Sequence, residues 1–269
     1  METNTVTRLP SSTREKRKES QSYLRALFFV IIDTMVKYLL FFILLASLWL
    51  GFAVLRAFFL IQVGTSIQKN AVPYERKLEN AEKNILVIGD STGVGTGADQ
   101  PTESVAGRIG ADFPRASVVN ISRNGKKTRE VISELTSLRE TFEVIVIQIG
   151  GNDVLYFTAR QALEKDIEAV LTEAKKRSAH VVLVTAGDVG EAPFFSYPFG
   201  YFWSKQTLAV REIFLEAAKR HGVEYVDLYA EKVGQVFRTD TARYYSKDML
   251  HPSGDGYALW YEKVAPFIR

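Results

Sequence analysis

Residues 84–93 read NILVIGDSTG: an unbroken aliphatic run, Ile85 to Ile88, that ends in the turn Gly89-Asp90-Ser91. A short apolar run with no polar alternation, closed by a glycine turn, is the mark of a strand covered on both faces. Four more runs repeat it, SVVNIS (117–122), VIVIQIG (144–150), HVVLVTAG (180–187) and VEYVDLY (223–229). The segments between them, around 103–112, 128–140, 160–178 and 204–221, carry apolar residues at helical spacing, and a last one runs from Ser253 to about Ile268. Strand and helix in alternation predict an α/β fold, a three-layer α/β/α sandwich on a five-stranded parallel sheet with right-handed crossovers.

Ligands of such sheets gather at the C-terminal strand ends. Here the first strand ends in Gly89-Asp90-Ser91, the second is followed by Asn124-Gly125, and the third ends in Gly150-Gly151-Asn152-Asp153. One such turn is ordinary turn chemistry. Three in register bring a possible nucleophile and possible oxyanion donors to one edge. A serine nucleophile needs a base, and the chain has three histidines. His180 starts the fourth strand, at the opposite edge from Ser91. His221, in KRHG, fits the last turn of a helix before a glycine cap, where an imidazolium suits the dipole. His251 lies in the loop-like stretch KDMLHPSGDG, three residues after Asp248, so one short turn can present imidazole and carboxylate together.

Gly89-Asp90-Ser91-Thr92-Gly93 also fits the G-x-S-x-G elbow of α/β-hydrolases. There the elbow follows an interior strand and the acid and histidine come from separate loops, whereas here the serine follows the first strand and Asp and His share a turn. Taken together, four blocks in order over about residues 84–269 resemble the SGNH, or GDSL-type, hydrolase superfamily, with its flavodoxin-like sandwich. They are Gly89-Asp90-Ser91, the segment Asn120 to Gly125, Gly150-Gly151-Asn152-Asp153, and Asp248-Met249-Leu250-His251. The resemblance implies a serine ester hydrolase with Ser91 as nucleophile, His251 as base and Asp248 as its orienter. It implies an oxyanion hole of the Ser91 and Gly125 N–H groups and the Asn152 amide, and no metal or organic cofactor. Asp90 and Asp153 are expected to hold the loops that carry their neighbours. Arg123, Lys126 and Lys127 around the glycine depart from the small or apolar residues expected there, and are read as a solvated helix start or as a welcome for an anionic substrate. Acyl transfer to a sugar hydroxyl would use the same acyl-enzyme, and a catalytically silent binding module on the same fold is the other alternative.

Substrate class is less legible. The stretch PFFSYPFGYFW (193–203) follows the fourth strand at the rim of the site. Phe194, Phe195, Phe199 and Phe202 are candidates to line an acyl pocket; touching a bilayer or packing a loop are the alternatives. The ester is O-acyl or O-acetyl, on an envelope glycan or a lipid-like molecule.

Ahead of the domain, residues 1–22 are polar and basic and read as a disordered tail. From Tyr38 to Leu55 the run YLLFFILLASLWLGFAVL is uncharged, and Ala57 to Val63 extends it past Arg56. At ~1.5 Å per residue it can cross a hydrocarbon core of roughly 30 Å. Residues 23–65 are therefore expected to be a membrane anchor, with a single span at about 38–60, and 66–83 a linker. Basic residues are denser before the span than after it, which keeps the N-terminus cytoplasmic and the domain outside, at the cytoplasmic membrane of a bacterium-like cell. No A-x-A-like cleavage site follows. The patch ALFFVII (26–32) suits an interfacial helix; as one arm of a hairpin it would place the domain in the cytoplasm instead. The net charge of +3 over 269 residues resides in the tail and makes no basic stripe, which argues against nucleic acid as partner. With no cysteine, disulfides, thiolate metal sites and a cysteine nucleophile are excluded.

Overall fold

A computed structural model describes residues 11–195 and 197–268. The elements run α1 (Ser11–Asn70), β1 (Lys83–Gly89), α2 (Ser91–Val94), α3 (Val105–Asp112), β2 (Ala116–Asn120), α4 (Thr128–Ser137), β3 (Val144–Gln148) and α5 (Gly151–Leu155). They continue with α6 (Arg160–Lys175), β4 (Val181–Thr185), α7 (Gly200–His221), β5 (Glu224–Asp227), α8 (Val233–Thr239), α9 (Thr241–Tyr244) and α10 (Gly254–Val264). The chain divides into two compact units, Met1–Arg56 and Ala57–Arg269.

In the second unit the five strands form one parallel sheet in the order β2-β1-β3-β4-β5. The alternation of each run sorts its side chains between two cores. Ile85, Val87, Val144, Val146, Val182 and Val184 face one core, with Val105 and Ile109 of α3 and Tyr257, Trp260 and Val264 of α10. Leu86, Ile88, Ile145, Ile147, Val181 and Leu183 face the other, with Val131 and Leu135 of α4, Leu163 and Ile167 of α6, and Ile213 and Phe214 of α7. These strand residues are at most 2% exposed, so their apolar runs are continuous because both faces are covered. From β1 the chain goes to β2 on one side and later to β3 on the other, and that reversal opens a crevice at the C-terminal ends of β1 and β3.

Three expectations about the N-terminal part change. The helix α1 already runs at Ser11, so residues 11–22 are helical and not a disordered tail; Lys16, Arg17, Lys18 and Glu19 are good helix formers that continue the helix of the apolar run. Residues 1–10 lie outside the described residues. No turn interrupts Ser11–Asn70, so residues 23–37 are neither a separate interfacial helix nor a hairpin arm. The segment 66–83 is not a loose linker either. It is helical to Asn70, and Arg76 then clamps the edge strand: its backbone pairs with Val118 (N to O 2.9 Å) and its guanidinium donates to the carbonyls of Gly110, Phe113 and Ala116. Covering the edge of β2 in this way blocks pairing with another chain.

Residues 16–70 make one helix long and apolar enough to cross a membrane. Within the first unit its large apolar side chains, among them Phe28, Leu40, Phe42 and Phe52, point outward and are more than half exposed. An apolar surface on every side suits lipid as solvent.

Candidate active site

Ser91 is the first residue of α2, directly after β1. Asp90 caps that helix: its Oδ1 accepts the N–H and the hydroxyl of Thr92, both at 2.8 Å. Because the strand ends at Gly89 and the helix begins at Ser91, the serine hydroxyl is delivered to the sheet edge by a turn of one residue.

Asp248 and His251 share the turn before α10. Asp248 Oδ1 accepts the N–H of Leu250 and of His251, both at 3.0 Å, and the hydroxyl of Ser246 at 2.7 Å. Its Oδ2 lies 2.6 Å from His251 Nδ1, and His251 Nε2 lies 2.9 Å from Ser91 Oγ. An ionised carboxylate can only accept, so Nδ1 carries the proton and Nε2 offers its lone pair to the serine hydroxyl. Met249 takes φ +59°, a left-handed conformation that a non-glycine residue adopts at some cost, and this bends the turn tightly enough for one carboxylate to reach both backbone and ring. Burial pushes the Asp248 carboxyl up, but the hydrogen bond and charge of His251, with the Ser246 hydroxyl, outweigh it and bring the pKa down to about 2. His180, ahead of β4, donates its N–H to Ser178 Oγ, and His221 ends α7 before Gly222 with Nε2 2.7 Å from Glu168 Oε2. Both lie away from the cavity, and His251 alone of the three lines it.

Gly125 and Asn152 come to the same cavity from the ends of β2 and β3. At Gly125 an added Cβ would meet nothing within 4 Å, but φ is +82°; glycine is needed there for its backbone conformation, not for space. Asn152 Nδ2 donates one hydrogen to Lys126 O (2.9 Å), which fixes the amide and leaves its second hydrogen for a ligand. Asp153 accepts both the N–H and the hydroxyl of Thr128 with Oδ2, at 2.9 and 2.6 Å, and so ties the start of α4 to α5. Asp90 and Asp153 thus hold loops, as expected.

Asp90 is itself almost fully buried, and burial pushes its carboxyl from the ordinary 3.8 up to about 6 despite the bonds from Thr92. A raised carboxyl pKa means that the folded protein holds the proton more tightly than the unfolded chain. The corresponding stability is complete below pH 3.8 and lost as pH rises through about 6. At 1.36 kcal/mol per pH unit the loss is about 3 kcal/mol. Asp90→Asn keeps an acceptor for Thr92 and removes the charge. We expect it to unfold at higher denaturant than the wild type at pH 8 and at nearly the same denaturant at pH 4. A pH-independent difference would show that burial of this charge is not what strains the site.

The cavity has a volume of about 470 Å³ and is lined by Ser91, Gly125, Asn152, Asp248 and His251 at one end. Phe194 and Phe195 line it. Phe199 and Phe202 do not; they are 37% and 57% exposed, because α7 begins at Gly200 and its first turn points them away from the interior. The aromatic wall is completed instead by Trp203, stacked on Phe195 with ring centres 4.2 Å apart, and by Phe237, Tyr245 and Trp260. Trp203 stood in the aromatic stretch and one turn of helical spacing beyond Gly200 would have marked it; Phe237 sits in α8, which no apolar run announces. The lysine beside Gly125 is also not solvated. Lys126 is 6% exposed, donates to Ile121 O (2.9 Å) and pairs with Glu134, and burial lowers its pKa. It braces the loop and is not turned to the cavity. Among the described residues no group of His, Asp and Glu could hold a metal ion.

A model of the GDSL-like Lipase/Acylhydrolase family matches residues 87–259. Among curated proteins none matches. Solved structures share the fold at low identity. TesA is 23% identical, with a TM-score of 0.56 over 70% of this chain and 98% of its own. Phospholipase A1 from Streptomyces albidoflavus NA297 is 15% identical, with 0.59 over 69% and 99%. A mutant of Axe2, an acetyl-xylooligosaccharide esterase from Geobacillus Stearmophilus, is 19% identical, with 0.55 over 70% and 95%.

Proposed function

We propose, for a chain that belongs to the GDSL-like lipase/acylhydrolase family and is a carboxylic ester hydrolase, that hydrolysis proceeds through an acyl-enzyme on Ser91. The observation that carries this is the continuous relay from Asp248 through His251 to Ser91, at 2.6 and 2.9 Å, opening on one cavity. Ser91 Oγ attacks the ester carbonyl while His251 Nε2 takes its proton, and Asp248 holds the ring tautomer and stabilises the imidazolium. The carbonyl oxygen, now negative, is met by the N–H groups of Ser91 and Gly125 and by the free Asn152 hydrogen. His251 returns the proton to the leaving alkoxide, and water then releases the acyl group by the same steps. Apolar residues over most of the cavity wall suit an acyl chain in preference to a charged acid part.

The helix at residues 16–70 is proposed as a single-pass anchor, with the N-terminus cytoplasmic and the catalytic unit outside, because Lys and Arg are denser before the uncharged run. A membrane-impermeant fluorophosphonate applied to intact spheroplasts tests both points. Labelling of Ser91 before lysis is expected. Labelling only after lysis reverses the orientation, and no labelling of folded protein removes the serine mechanism.

A further inference from the structure

One wall of the cavity comes from far away in the sequence. Leu60, Ile61, Gly64, Thr65 and Gln68, on the last three turns of α1, line the cavity that holds Ser91 and His251. Their spacing of three and four puts them on one helix face. That face meets three parts of the site. Gly64 lies against the acid of the relay, where an added Cβ would stand 3.3 Å from Asp248 Oδ2, the oxygen that faces His251 Nδ1. One turn on, the Gln68 carbonyl accepts from Asn124 Nδ2 at 2.9 Å, and Asn124 in turn accepts from Thr96 at 2.6 Å, so the helix end is pinned to the residue next to Gly125. One turn back, Leu60 is buried to 6% exposure and, with Ile61, faces into the cavity. Glycine within a helix weakens it, and the close approach to Asp248 is a reason for Gly64 that a mere stalk would not supply.

The result is a slot that is polar at the serine and apolar on the helix side as well as the aromatic side. An acetyl group would leave those walls unused, since apolar contact grows with each methylene of the acyl chain.

We propose that the last three turns of α1 are a substrate-binding element, the acyl wall of the site, and that the ester they admit carries a long acyl chain. This rests on the Ser91 mechanism above. The acyl chain lies along the Leu60–Ile61 face while its carbonyl meets Ser91.

The test uses the full chain in vesicles of dioleoylphosphatidylcholine, with oleate release read by mass spectrometry and Ser91 labelling by fluorophosphonate on the same preparation. Hydrolysis of p-nitrophenyl octanoate and acetate is compared in the wild type, Ile61→Asn and Leu60→Ala, each checked for unchanged thermal unfolding. Ile61 is half exposed, so its change spares the packing if Leu60→Ala does not. We expect oleate release, and a fall of about tenfold in the octanoyl-to-acetyl ratio of kcat/KM in the variants. An unchanged ratio in a folded variant overturns the binding role of the helix. Labelled protein that releases no oleate overturns the long-chain assignment. Absence of label in the wild type instead removes the mechanism on which the proposal stands.

Discussion

Ser91→Ala protein should lose about 10⁴-fold or more of its turnover of small activated esters while unfolding at the wild-type temperature. The loss is large because, among the described residues, no other hydroxyl lies against His251 Nε2: the ring's partners are Asp248 Oδ2 on one nitrogen and Ser91 Oγ on the other. Some rate above that in water should survive, since Gly125 and Asn152 still line the cavity and can stabilise a water-derived oxyanion. Folding should be spared. Ser91 opens a four-residue helix at a cavity wall, and its hydroxyl joins the relay without packing in either core. The hydrolysis of p-nitrophenyl acetate and a melting curve of the same sample check both halves. A pure variant that keeps a tenth of the wild-type rate would mean that the nucleophile lies elsewhere.

The parts of this site that were legible in the sequence are those fixed by local chain geometry. Ile85–Ile88 reads as a strand because both faces are covered. Asp248 and His251 read as a pair because three residues of one turn suffice to join them. What was not legible depends on contacts between distant parts of the chain. Polarity from Ser66 onward marks the end of the apolar run, but the helix persists to Asn70 because Gly64 and Gln68 meet Asp248 and Asn124, well over a hundred and about fifty residues away respectively. Lys126 looks solvated until Glu134, two turns along α4, is seen to bury it. The aromatic run 193–203 announces rings at the rim, yet which rings turn inward is decided by where α7 starts, and that start exchanges Phe199 and Phe202 for Trp203. Short helices such as α8 and α9 leave too few residues for a period to show.

Asp248→Asn should lower kcat by about 10⁴-fold, close to the loss of the serine itself, through a change of tautomer and not of position. The Asn carbonyl can keep the three bonds that Oδ1 accepts from Leu250, His251 and Ser246. That puts its amide hydrogens where Oδ2 faced His251 Nδ1. A donor there makes Nδ1 the acceptor and moves the ring proton to Nε2, which then donates to Ser91 Oγ and cannot take its proton. The same carboxylate has a stability signature. Its folded pKa, about 2, lies below the ordinary 3.8, so its stabilisation is present above pH 3.8 and is lost as pH falls toward 2, about 2 kcal/mol in all. Asp90 acts in the opposite sense between about pH 4 and 6, so the two carboxyls are separated by pH window as well as by sign. Denaturant unfolding of wild type and Asp248→Asn from pH 6 to pH 2 should therefore give curves that run parallel above pH 4 and converge below it. Retention of more than a tenth of the activity, or a difference that stays constant down to pH 2, would show that Asp248 does not hold the ring as an ionised partner.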